Sequence, residues 1–104
     1  MNNIQELQDV IRKMHGAFAT HVETVPVKET FQGQTVWEGT VEVFDLLDHP
    51  TASRIYAWSH DTDDPESPRR HVTVLHLPPA TSPLRAVQAS IVSDVREAQA
   101  NAEN

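Results

Sequence analysis

From about Thr20 to Leu77 apolar and β-branched residues alternate with polar ones, while on either side of that stretch apolar residues recur every three or four positions. A period of two sends alternate side chains to opposite faces of a pleated strand, and a period near 3.6 gathers them on one stripe of a helix. Neither kind of segment can adopt the other's structure and still bury its apolar side. The chain is thereby limited to a helix, a run of strands and a second helix.

The first stripe, Ile4, Leu7, Val10, Ile11, Met14 and Phe18, predicts a helix over residues 3–15. Asn3 suits the N-cap, Arg12, Lys13 and His15 complement the dipole in the last turn, and Gly16 can take the left-handed conformation that ends it. At the other end, Ser82 followed by Pro83 is a helix start, and Leu84, Val87, Ile91, Val95 and Ala98 form the stripe of a helix over residues 83–99. Residues 101–104 are expected to fray.

Between the helices, strands are predicted at residues 20–31, 34–46, 53–60 and 71–77. Gln32-Gly33-Gln34 reads as a three-residue turn, which sets Val25 opposite Val41, Glu29 opposite Trp37 and Lys28 opposite Glu38. Phe44 and Leu46 have the parity opposite to Val41 and Val43, so either a bulge intervenes or both faces are partly covered there. Asp48-His49-Pro50 supplies a turn, and Asp61 to Arg70, rich in charge and with two prolines, supplies a solvated loop. Pro78-Pro79 stops the fourth strand. The expected fold is α+β: an N-terminal helix, a four-stranded antiparallel meander and a C-terminal helix, with both helices packed on one sheet face in a single domain over residues 1–104.

Composition narrows the chemistry. The chain has no cysteine, which removes disulfides, thiolate catalysis and cysteine-bound zinc. Residues 1–10 are polar where a secretory leader needs a basic start and an apolar run, and no apolar run approaches the roughly 20 residues that span a bilayer. A cytoplasmic protein without membrane partners is expected. The net charge of −7 repels phosphate backbones, and the basic Arg69-Arg70-His71 follows directly on an acidic run, so nucleic acid is not an expected partner. Three glycines, at 16, 33 and 39, cannot build a phosphate-cradling loop, and no cofactor is expected.

Ser59-His60-Asp61 spells a catalytic triad in letters alone, because neighbours in a strand point to opposite faces. The loop Asp61-Thr62-Asp63-Asp64-Pro65-Glu66 lacks the glycine and distal glutamate of an EF-hand. His15 serves the helix end and His49 the turn. Glu38 and Glu42 share a strand face and read as solvated carboxylates. One constellation remains. If the third and fourth strands form a hairpin that places His60 opposite His71, then Trp58 faces Thr73, Tyr56 faces Leu75, and all six share one side, while His76 points to the other. Two imidazoles at that spacing could share a proton or a ligand, or they are ordinary strand-end residues. They fall short of a coordination set, and no metal site is expected. Tyr56 and Trp58 are either core aromatics or, with Trp37 and Arg54, an exposed patch rimmed by Glu38 and Glu42.

Val36 to His60, VWEGTVEVFDLLDHPTASRIYAWSH, and Arg69 to Pro79, RRHVTVLHLPP, together about half of the chain, resemble short bacterial proteins of uncharacterised function, some carried on mobile gene cassettes. The resemblance implies a bacterial, cytoplasmic, stand-alone domain and assigns no residue a role. On the residues themselves, the leading expectation is a non-enzymatic module that binds another protein or a second copy of itself, as a homodimer, through an uncovered sheet face. The rival is a small-molecule binding protein or enzyme with a site at His60, His71, Tyr56 and Trp58.

Overall fold

The computed structural model describes residues 3–62, 65–66 and 68–102, with the backbone alone over 94–102. Helix α1 (Asn3–His15) leads into strands β1 (Phe18–Phe31), β2 (Gln34–Leu47), β3 (Arg54–Asp61) and β4 (Arg69–Leu75), and helix α2 (Pro83–Ala102) closes the chain. The strands form one antiparallel sheet in the order β1-β2-β3-β4, the meander expected from the short connections. The first and last strands shift by two residues at their ends relative to the sequence reading, and α2 runs three residues longer.

Local chemistry explains the boundaries. The Gly16 N–H donates to the Arg12 carbonyl at 3.0 Å, and φ at Gly16 is +68°, the left-handed stop of α1. At the start of α2, Ser82 Oγ accepts from the Arg85 N–H at 3.2 Å, as an N-cap must. The β1–β2 turn has two residues rather than three: Gln32 (φ 51°) and Gly33 (φ 78°) are both left-handed, the pattern that fits the twist of a tight hairpin. Phe31 therefore faces Gln34. The pairing nevertheless returns to Glu29 opposite Trp37 and Val25 opposite Val41, because a bulge between Glu29 and Thr30 absorbs the difference. A second bulge lies between His21 and Glu23.

The helices do not share a face, contrary to expectation. Paired residues point to the same side of a sheet, so Phe44 with Ile55 defines one face and Val43 with Tyr56 the other. Leu7 and Ile11 of α1 pack with Phe44, Ile55 and Ala57. Ala86 and Val87 of α2 pack with Val27, Val41, Val43, Tyr56 and Trp58. Two cores thus lie on opposite sides of one sheet. This settles the parity conflict in β2: no bulge is needed, since Val41, Glu42, Val43 and Phe44 are all buried and face alternate helices. Double coverage allows a run of apolar residues where single coverage would demand alternation.

The sheet is not uniform along β2. Its pairing with β3 covers Glu42 to Asp45 only, whereas its pairing with β1 runs the whole strand, so the outer part of the β1–β2 hairpin extends past β3. Leu46 donates its N–H to the Ser53 carbonyl, which turns the even-numbered backbone groups of β2 toward β3. Thr40 points that way, so its β1 partner Pro26 turns its nitrogen outward to the free edge. A proline there leaves no gap in the ladder.

Candidate functional site

The observed β3–β4 register is one residue away from the one expected. Tyr56 faces Val74, Trp58 faces Val72, Ser59 faces His71 and His60 faces Arg70. A slip of one residue moves every side chain of a strand to the other face, and so the His60/His71 pair does not form. His60 lies on the α2 face and His71 on the α1 face. His76, expected on the far side from Tyr56, instead meets it: the phenol and His76 Nδ1 are hydrogen-bonded.

His71 belongs to a polar seam where α1 crosses β3 and β4. Its Nε2 lies 3.7 Å from Glu6 Oε2, and Arg69 approaches the same carboxylate at 3.6 Å. Arg69 also donates to Ser59 Oγ at 2.9 Å and to Asn3 Oδ1 at 3.0 Å. Further along the seam, His15 Nε2 is 3.0 Å from Thr73 Oγ1. Burial, with His49 nearby, holds the His15 imidazole below its ordinary value of 6.5. His49 is the turn residue it was expected to be, its Nδ1 accepting from the N–H groups of Thr51 and Ala52 at 3.2 and 3.0 Å. These contacts fasten a helix to a sheet edge. Asp63 and Asp64 of the acidic loop lie outside the described residues.

Glu42, expected to be solvated, is 5% exposed. Thr24 Oγ1 lies 2.7 Å from each of its carboxylate oxygens, and His21 Nε2 lies 3.1 Å from one. The bulge at Val22 makes this possible, since it brings His21 and Thr24 to the same face although they are three residues apart. The hairpin register read from sequence already placed Thr24 opposite Glu42. That polar pair beneath a helix-covered face was the available signal for a buried carboxylate with partners.

Tyr56 and Trp58 are each 2% exposed, so the aromatic patch on an uncovered sheet face does not exist. Burial pushes the Tyr56 phenol above its ordinary value of 10; Arg54 opposes that rise and Glu23 adds to it. Arg54 itself pairs with Asp45 at 3.1 Å at the rim of a shallow cleft that His76 also lines. Trp37 and Trp58, however, do come together. Their ring centroids are 5.7 Å apart with the planes at 73°, an edge-to-face pair. Gly39 permits this arrangement, because a Cβ there would stand 3.2 Å from the Trp37 ring.

An apolar surface feature lies at the hairpin end. Phe31, Val36 and Val92 are 66, 50 and 49% exposed, and together they line a groove of about 440 Å³ between the hairpin end and α2, floored by Ile91 and flanked by Glu29 and Gln88. Gln88 reaches across to Glu29 at 2.8 Å and fixes the helix along β1. Sequence reading placed Val36 in a strand but could not show it as a bulged residue turned to solvent. No helix among the described residues is long and apolar enough to cross a membrane. Comparison with known protein families, with curated protein sequences and with solved structures found no match.

Proposed function

We propose that the protein is a non-enzymatic interaction module of the bacterial cytoplasm that pairs with a second copy of itself through the hairpin end and α2. The observation that carries this reading is the co-location of Phe31, Val36 and Val92, three large apolar side chains left about half exposed or more around one groove. Scattered apolar residues are ordinary on a protein surface, but a contiguous set around a groove marks a contact site. The surface differs from the one expected on the sheet, since both sheet faces carry helices.

A second copy is the favoured occupant for a geometric reason. Leu84 lies beside Val25 to Lys28, Gln88 touches Glu29 and Val92 stands by Phe31, so α2 advances along β1 toward the turn. The helix continues from Ser93 to Ala102, about 15 Å at the usual rise. Two copies related by a two-fold axis would lay this extension over each other's groove, and a self-complementary contact needs no other component. Growth by strand addition at β1 is disfavoured by Pro26 and by the bulge at Val22.

Sedimentation velocity from low to high micromolar concentration tests the reading. A dimer is expected for the native chain and a monomer for Val92→Asp or Phe31→Asp. A native chain that stays strictly monomeric throughout would remove the proposal.

A further inference from the structure

Past the last rung that joins β2 to β3, Glu42 opposite Ala57, β3 stays paired with β4 out to Asp61 opposite Arg69, and β2 stays paired with β1. The two hairpins part there, and α2 spans the gap on one face above a cleft of about 460 Å³. Trp37 walls it from β2, Trp58, His60 and Val72 from β3 and β4, and Ser90 and Ile91 from α2. Glu38 contributes its main chain alone, because alternation turns its side chain to the other face, where it pairs with Lys28. A concave and mostly apolar space with a few polar groups is the usual form of a ligand pocket.

Two polar side chains border this space. The Asp61 carbonyl oxygen can only accept, so His60 Nδ1, 3.1 Å away, carries the proton, and the neutral ring presents Nε2 as a lone-pair acceptor. Ser90 stands three residues after the buried Val87, on the same side of α2, and brings a hydroxyl. Charge selects against ions of either sign. Arg70 lies opposite His60 on the same face and opposes a cation, whereas the net charge of −7 and the His60 lone pair oppose an anion. A neutral ligand whose polar group donates a hydrogen bond fits both conditions.

From this geometry we infer that the cleft binds a small neutral phenol. Its flat ring rests against Trp37, Val72 and Ile91, and its O–H, a stronger donor than an aliphatic hydroxyl, meets His60 Nε2 with the Ser90 hydroxyl as a second polar neighbour. Trp58 is almost wholly buried, so Trp37, half-buried and held beside it because Gly39 lacks a side chain, forms the accessible aromatic wall.

The chain contains two tryptophans and both belong to this cleft, so intrinsic fluorescence excited at the red edge of indole absorption reads it directly. At about pH 8, where an ordinary imidazole is neutral, para-cresol is titrated beside para-methylanisole, which has the same body without the donor, and beside para-toluate and benzylammonium, which carry charged heads. The expected result is saturable binding of para-cresol with Kd on the order of 1 mM or tighter, about fivefold weaker binding of the methyl ether, and at least about tenfold weaker binding of either ion. His60→Phe, at an exposed position, keeps a ring and removes the acceptor; it should bring para-cresol down to the level of the methyl ether and leave the ether unchanged. No saturation by para-cresol, equal binding of cresol and ether by the native chain, toluate or benzylammonium bound as tightly as cresol, or a preference for cresol that survives His60→Phe would each overturn the assignment. The cleft shares Ile91 with the dimer groove but not Val92, so Val92→Asp separates the two: para-cresol should bind that variant equally well, and loss of binding there would also overturn the assignment.

Discussion

The two halves of β2 have the same length of hairpin behind them and opposite surroundings. From Val41 to Phe44 four consecutive residues are buried, two beneath each helix, whereas from Gln34 to Thr40 Trp37 alone is shielded. The inner half has β1 and β3 on either side and a helix on each face. The outer half has β1, the flank of α2 and water. The difference teaches that coverage, not strand propensity, sets where the fold's stability resides: both halves are equally extended, yet the burial that opposes chain entropy lies in one of them. The outer half is free to carry contact surfaces, and the proposed dimer surface lies there.

The largest test of this contrast is Phe44→Ala. Phe44 is fully buried between α1 and β3, and its truncation should cost about 3–5 kcal/mol in chemical denaturation. Val36→Ala in the outer half should change stability by less than about 0.5 kcal/mol. Comparable losses at the two positions would mean that the halves are energetically alike.

A smaller effect is expected at Glu42. Removing its partner with His21→Ala leaves a buried carboxylate held by Thr24 alone and should destabilise by about 1–3 kcal/mol. Adding Glu42→Leu to that variant should recover most of the loss, because replacing the whole polar group avoids an unpaired buried charge. Failure of the second substitution to recover stability would show that the loss came from His21 packing on Phe44, whose rings meet edge to face at 5.4 Å.

The smallest effect sharpens the comparison through pH. The His15 imidazole, at the α1 end of the inner half, is held below its ordinary 6.5, so over the interval between its folded value and 6.5 the unfolded chain binds more protons. Stability from this residue is therefore complete above 6.5 and declines as pH falls through that interval. Unfolding of the native chain, set against His15→Asn, should show the difference shrinking on acidification. A difference that grows on acidification would reverse the sign and point to a favourable charge at His15.

Much of this architecture could be read from residues whose meaning is local. Gly16, Ser82-Pro83 and the two apolar stripes mark both helices, because caps and periodicity depend on neighbours in the chain. The sheet order followed from short connections. Which face each helix covers did not, since that depends on crossovers that leave no local mark; Phe44 and Leu46 posed the question without answering it. The site fared worse for a related reason. In the sequence, the long Asp61 to Arg70 stretch carries no two-residue turn signature to fix strand pairing across it, and one residue of slip separated His60 from His71 while joining Tyr56 to His76. The Trp37–Trp58 contact joins strands that are no longer paired at that level, so no register argument reaches it.

The outward-facing nitrogen of Pro26 has a consequence for how the molecule behaves among its own kind. A border strand of 14 residues offers a long template on which copies could add one after another without end. With a missing donor near its middle and a bulge at Val22, that border offers an added strand only an incomplete ladder.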